Sequence, residues 1–311
     1  MSSPPNMRRA VFYPVSRWGI SENTRWHIYL IGCGGTGSFI AHALAQLAAS
    51  PRGEAVDRVI LVDPDLVEER NIGRQNFAPA DVGYPKAQVL ALRYNLAFGT
   101  EFEWIHNAFE EALLPKNATA LARILLIGAV DTGKARRTIA QALKERHDDV
   151  VWLDAGNGYD RGQVIIGNSF ARKELAQSVD ENLNIARCLP YPSLALPELL
   201  KAENKAGLSC AQAVENEVQG LFVNRFMASI VGQHLYWLLQ GQLSVSQTWV
   251  HLDKLEMVSV PVNQFNIDRY STSTIARARA IEDLFDAGQE PLPEMVPLPA
   301  PDVLPQRTES E

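Results

Sequence analysis

A short stretch of this chain collects the residue types that handle phosphate. Gly32, Gly34, Gly35 and Gly37 come first, Asp63 next, then Asn71, Arg74, Gln75 and Lys86. Glycine lets the backbone approach an anion closely, and a helix start offers free N–H groups and a partial positive charge. Asp63 ends the apolar run that follows the glycines, where an acid accepts the hydrogen bonds of a ribose diol. These features suit any dinucleotide or nucleotide, and Gly32, Gly34 and Gly37 also satisfy the spacing of nicotinamide and flavin loops. Asn71, Arg74, Gln75 and Lys86 suit a polar loop leading into a helix, but the loop leaves a strand's carboxyl end, and two cations at this spacing have a reason to exist there if a triphosphate is bound. Attack by a carboxylate on an α-phosphate expels pyrophosphate, and two fixed cations stabilise the developing charge. A dehydrogenase has no use for them. Asp131 ends a later apolar run ahead of a helix, a place where an acid also serves as a cap. Cys210 precedes another helical pattern, whose start favours a thiolate, and Lys205 adds positive charge nearby.

The elements that must position these residues alternate. Ile28–Ile31 and Val59–Val62 are short apolar runs with β-branched residues and read as buried strands. A helix is expected from about Ser38 to Ala49, and another over residues 85–98 with an apolar stripe through Val89, Leu92 and Leu96. Strands follow at 102–105, 124–130 and 150–154, with a helix from about Gly133 to Arg146. The run 124–130 is continuously apolar, as for a strand covered on both faces. A strand at 163–166 is expected to close that edge. Strand–helix alternation implies an α/β fold with a doubly wound, mostly parallel, Rossmann-like sheet.

Residues 168–212 have little periodicity and several prolines, so a long irregular connection is expected there, of the kind that is commonly functional. A long helix over 211–239 follows, with Val214, Val218, Leu221, Phe222 and Phe226 as apolar positions. One or two strands over 249–262 and a last helix over 272–285 complete the pattern. The resulting division is an arm (1–26), a nucleotide-binding domain (27–167), additions packed on the same domain (168–286) and a proline-rich acidic tail (287–311), expected to be disordered.

A net charge of −7 and a pI near 5.5 argue against general nucleic-acid binding, which needs a basic surface. No apolar run approaches a membrane span, and residues 1–15 lack an apolar signal core, so a cytoplasmic location is expected. The three cysteines, Cys33, Cys188 and Cys210, are widely separated and suit reduced thiols.

The ordered set Asp63-Pro64-Asp65-Leu66-Val67, Asn71-Ile72-Gly73-Arg74-Gln75 and Gly83-Tyr84-Pro85-Lys86-Ala87, placed after the glycine loop, resembles the ThiF/MoeB/HesA family. These are bacterial relatives of ubiquitin-activating enzymes. In outline the chain also resembles the ThiF-type members of the PRTRC system. The resemblance implies ATP-dependent adenylation of the C-terminal carboxylate of a small ubiquitin-like or sulfur-carrier protein ending in Gly-Gly. It implies phosphate contacts from Arg74 and Lys86, magnesium on Asp131, and a homodimer. One of Arg8, Arg9 or Arg17 would then reach the partner subunit's site. Cys210 matches the place where some members carry the cysteine that takes the acyl group. The family's structural zinc is not expected, because Ile185 stands where the first C-x-x-C cysteine belongs and no cysteine follows Cys210. The alternatives are an NAD-dependent oxidoreductase and a nucleotide-binding scaffold without transfer chemistry.

Overall fold

The apolar runs become the middle of one large sheet. A computed structural model describes residues 8–14, 25–51, 53–115, 122–144, 150–201 and 221–271. Its strands are β1 (Val11–Phe12), β2 (Arg25–Ile31), β3 (Val56–Val62), β4 (Glu103–Ile105), β5 (Ala122–Gly128) and β6 (Val150–Asn157). They continue with β7 (Arg161–Gly167), β8 (Val179–Asp180), β9 (Ile185–Ala186), β10 (Val245–His251) and β11 (Glu256–Pro261). The helices are α1 (Gly35–Ala48), α2 (Lys86–Phe98), α3 (Gly133–Lys144), α4 (Arg172–Leu175), α5 (Pro192–Ala195), α6 (Val223–Leu239) and α7 (Gln264–Ser271).

The large sheet runs β4-β3-β2-β5-β6-β7-β10-β11. From β4 to β6 all pairings are parallel, and from β6 to β11 all are antiparallel. The chain first winds outward from β2 to β4, then returns to the other side of β2 with β5. The strand order therefore reverses between β2 and β5, and ligands of open α/β sheets sit beyond the carboxyl ends of the strands at such a point. The α/β fold is thus a doubly wound, mostly parallel sheet with an antiparallel extension.

Period-2 alternation divides the strand side chains between two cores. Ile28, Leu30, Leu125 and Leu153 pack with Ile40 and Leu44 of α1, Leu90 of α2 and Val231 of α6. Tyr29, Ile31, Leu126 and Trp152 pack on the opposite face with Ile139 and Leu143 of α3. Among the described residues no helix is long and apolar enough to cross a membrane.

Several expectations need correction. β7 does not close the sheet: it lies between β6 and β10, and β11 forms the edge. The polar residues Gln247 and Thr248 of β10 are buried, which weakens its apolar alternation. In α2 the buried positions are Ala87, Leu90, Ala91 and Tyr94, whereas Leu92 and Leu96 face outward. In α6 the inner face is Val223, Met227, Val231 and Leu235, while Leu221, Phe222 and Phe226 are exposed. Residues 168–201 are not wholly irregular, because β8 and β9 join β1 of the amino-terminal arm in a small three-stranded sheet. The last described helix is α7, ahead of the expected 272–285, which lies outside the described residues together with the tail.

His234 links α6 to β10. Its Nδ1 lies 3.0 Å from the Ile230 carbonyl and its Nε2 lies 3.3 Å from the Thr248 hydroxyl. Burial lowers its pKa to about 4, against the smaller opposing effect of the Ile230 carbonyl. Below pH ~6.5 the unfolded chain takes up a proton that the folded imidazole refuses until about pH 4. Stability carried by the neutral ring is therefore complete above that window and falls as pH drops through it, by about 3 kcal/mol at the lower end. Urea unfolding of wild type and His234→Gln across this range is expected to show a shallower acid-side decline in the variant. Parallel curves would contradict the assignment.

Candidate functional site

The glycine loop leaves the carboxyl end of β2 in a conformation that ordinary residues resist. Gly32 has φ +90°, and a Cβ there would lie 2.6 Å from the Ala129 carbonyl oxygen. A Cβ on Gly37 would meet the Gly32 carbonyl oxygen at 1.9 Å, and one on Gly35 would meet Asn224 Oδ1 at 2.8 Å. Gly34 differs: nothing stands within 4 Å of its Cβ position. Gly34 is also the N-cap of α1, and the first helical bond runs from the Ser38 N–H to the Gly34 carbonyl at 3.0 Å. The N–H groups of the first turn of α1 precede that bond and have no intrahelical acceptor, so a cradle for an anion opens at the start of α1.

Asp63, at the end of β3, fastens this loop. Its Oδ2 accepts the Cys33 N–H at 2.5 Å and its Oδ1 accepts the Asp65 N–H at 2.8 Å. Burial raises the Asp63 pKa, while the Cys33 N–H and the Lys86 charge act to lower it. Asp65 then receives Lys86 twice: the ammonium lies 2.9 Å from Asp65 Oδ2, and the Lys86 N–H donates to the Asp65 carbonyl at 3.0 Å. Lys86 is buried but Asp65 is exposed. An ion pair with an exposed partner contributes only ~0–1 kcal/mol, so its consequence is the placing of the cation.

Asn71 organises the next loop. Its Oδ1 accepts the Glu68 N–H at 2.9 Å, and its carbonyl accepts the Gln75 N–H at 3.0 Å. Arg74 and Gln75 are buried beside it. Gln75 Oε1 is buried and has no hydrogen-bond partner among the described residues. A buried acceptor without a donor costs about 1–3 kcal/mol, and a bound polar molecule relieves that cost.

Asp131 lies beyond β5, across the strand-order reversal from the glycine loop. The two loops touch: the Ala129 N–H donates to the Ile31 carbonyl at 2.8 Å, and Val130 packs against Gly32. The side chain that caps α3 is that of Thr132, whose hydroxyl accepts the Ala135 N–H at 3.2 Å. Asp131 is exposed one residue earlier. Among the described residues no group of three or more His, Cys, Asp or Glu could hold a metal ion. A magnesium ion held chiefly by phosphates needs only one or two protein carboxylates, which Asp131 fits.

The thiols divide. Cys33 is fully buried, and burial pushes its thiol pKa up, with Asp63 adding to the shift. Cys188 is half-buried, with its sulfur 4.0 Å from Glu174 Oε2. Cys210, Lys205 and Arg17 lie outside the described residues, and Arg8 and Arg9 are exposed.

Sequence reasoning missed two polar groupings. Thr36, Asn157 and Asn224 meet at the start of α1, from three elements far apart in the chain. Arg136 of α3 holds Asp154 of β6, its Nε 3.1 Å from both carboxylate oxygens. Asp154 is completely buried, which raises its pKa against the charge of Arg136. The signal for Asp154 was an acid inside an apolar strand. The three-residue grouping left none, since single polar residues at the ends of three separate elements carry no period.

The ThiF family model matches residues 8–269, and the chain belongs to the ThiF family. No curated protein matches it in sequence. Among solved structures, PaaA is similar at 18% identity and TM-score 0.47, over 77% of this chain and 64% of that one. MccB of E. coli with AMPCPP and selenomethionine MccA is similar at 14% identity and TM-score 0.48, over 76% and 63%. MccB with MccA-N7isoASN is similar at 14% identity and TM-score 0.49, over 77% and 65%. The chain thus spans a little under two thirds of the length of these proteins.

Two glycines should separate fold from binding. Gly37→Ala forces a Cβ onto the Gly32 carbonyl and is expected to lower the melting temperature by many degrees. Gly34→Ala enters open space, so it should change stability little while blocking close approach of a phosphate. Calorimetric unfolding paired with MgATP titration checks both. Equal stability losses in the two variants would contradict the geometry.

Proposed function

We propose that the chain is an ATP-dependent adenylating enzyme. Its substrate would be the C-terminal carboxylate of a small ubiquitin-like or sulfur-carrier protein ending in Gly-Gly. The observation that carries the reading is the Asp63–Asp65–Lys86 relay, which fastens a buried cation to the strand end that also fastens the glycine loop. Membership of the ThiF family supports it.

In this reading the triphosphate lies along the start of α1, against Gly34, with Arg74 and Lys86 on its charge. Gln75 Oε1 takes a hydroxyl or amino group of the nucleoside, and Asp63 faces the ribose. A carboxylate oxygen of the carrier attacks the α-phosphorus. The P–O bond to the β-phosphate breaks, and pyrophosphate leaves with the electron pair. Lys86 and Arg74 stabilise the charge that grows on the departing group. Asp131 would hold magnesium, which would supply further neutralisation of the phosphates when bound. Cys210 would then accept the acyl group as a thioester, releasing AMP. A homodimer, with an arginine from the partner's arm at the site, completes the proposal.

Nucleotide choice is the first test. MgATP is expected to raise the melting temperature while NAD and NADH leave it unchanged; the reverse pattern would sink the adenylation reading. With a carrier supplied, Lys86→Ala and Arg74→Ala should each lower ATP–pyrophosphate exchange by roughly 10²–10³-fold, as for other transition-state charge contacts. Asp131→Ala should shift the magnesium dependence of exchange to higher concentration. Full exchange in both cation variants would remove them from the mechanism.

A further inference from the structure

Three side chains from distant elements converge at the start of α1. Thr36 stands in the first turn of α1, Asn157 at the carboxyl end of β6, and Asn224 in the first turn of α6. The Thr36 hydroxyl donates to Asn224 Oδ1 at 3.0 Å, with Asn157 Oδ1 at 3.3 Å. Asn157 Nδ2 donates to the same Asn224 oxygen at 2.9 Å. Asn224 and Thr36 are buried, while Asn157 is half-buried and turned toward solvent in part. The contact with the glycine loop is tight, because the Asn224 amide occupies the space that a Cβ on Gly35 would need.

The hydrogen-bond count gives Asn157 a direction. A side-chain amide carries two N–H donors. One is spent on Asn224 Oδ1, and the second has no partner among the described residues. Asn224 and Thr36 together fix the Asn157 amide, so this second donor is held in place before any ligand arrives. The Asn157 amide meets Thr36 in the first turn of α1, the helix start to which the adenylation reading assigns the phosphates.

We infer that Asn157 is a substrate-binding residue for the acyl group, with Thr36 and Asn224 as the positioning residues that aim it. This rests on the adenylation reading. A carboxylate has two oxygens: one forms the new bond to the α-phosphorus, and the other becomes the acyl carbonyl. The free N–H of Asn157 donates to the second oxygen, which orients the first toward phosphorus.

The test uses the full chain and three ligands: MgATP, AMP and glycyl-sulfamoyl-adenosine, a stable mimic of a glycyl-adenylate. Calorimetry on wild type is expected to show the mimic binding roughly tenfold or more tighter than AMP, in line with a hydrogen bond to a polar acyl oxygen. Asn157→Ala should erase most of that excess, with MgATP affinity within about threefold of wild type. Asn157→Asp keeps the shape but replaces both donors by acceptors, and it should erase the excess as well; a melting temperature near wild type in either variant guards against a folding artefact. An unchanged mimic-to-AMP ratio in both Asn157 variants overturns the inference while leaving adenylation intact. Failure of wild type to bind MgATP would instead overturn the adenylation reading.

Discussion

Asp63 is the constraint on which the site depends. A carboxylate taken out of water costs several kcal/mol unless it is matched by partners. Here two backbone N–H groups meet its two oxygens, one from the glycine loop and one from the start of the segment that leads to Lys86. Hydrogen bonds to a charged group contribute about 1.5–3 kcal/mol each, enough to offset that cost. Burial still leaves the Asp63 pKa raised. The balance makes Asp63 more valuable as a fastening than as a source of stability. It ties the anion cradle and the cation to one strand end, so neither can drift from the other.

The sheet order supplies the second half of the arrangement. Reversal between β2 and β5 leaves a crevice with the glycine loop on one side and Asp131 on the other. α1 and α6 pack on one face of the sheet and α3 on the other, so their amino ends approach the crevice from both sides. The buried Arg136–Asp154 pair joins α3 to β6. Breaking one partner of such a pair would leave an unmatched charge at a cost of about 3–5 kcal/mol, which holds the α3 side in register with the sheet.

What could be read from the sequence was what lies close together in it. The glycines, Asp63, Asp65, Asn71, Arg74, Gln75 and Lys86 fall in one strand–helix–strand–loop–helix stretch, and local geometry brings them together there. Asn157 and Asn224 reach Thr36 only through the antiparallel extension and α6, so no spacing announces them. The errors in the helices have a common cause. Bulky Leu92, Leu96, Phe222 and Phe226 are exposed, whereas small Ala87 and Ala91, and the stripe from Val223 to Leu235, are the buried positions. The extent of the sheet was hidden because β10 buries Gln247 and Thr248 by satisfying them, with Tyr270 on the one and Ser259 on the other. Family resemblance covered the local motifs and was silent on these.

Oxygen transfer tests the central claim most directly. A carrier ending in Gly-Gly is prepared with its terminal carboxylate labelled with ¹⁸O and incubated with the chain, MgATP and hydroxylamine to release the acyl group. If a carboxylate oxygen attacks the α-phosphorus, the bridging oxygen stays with phosphorus when the acyl group leaves. The AMP recovered should then carry one ¹⁸O atom by mass spectrometry. Unlabelled AMP, or formation of ADP and phosphate in place of AMP and pyrophosphate, would contradict adenylation at this site.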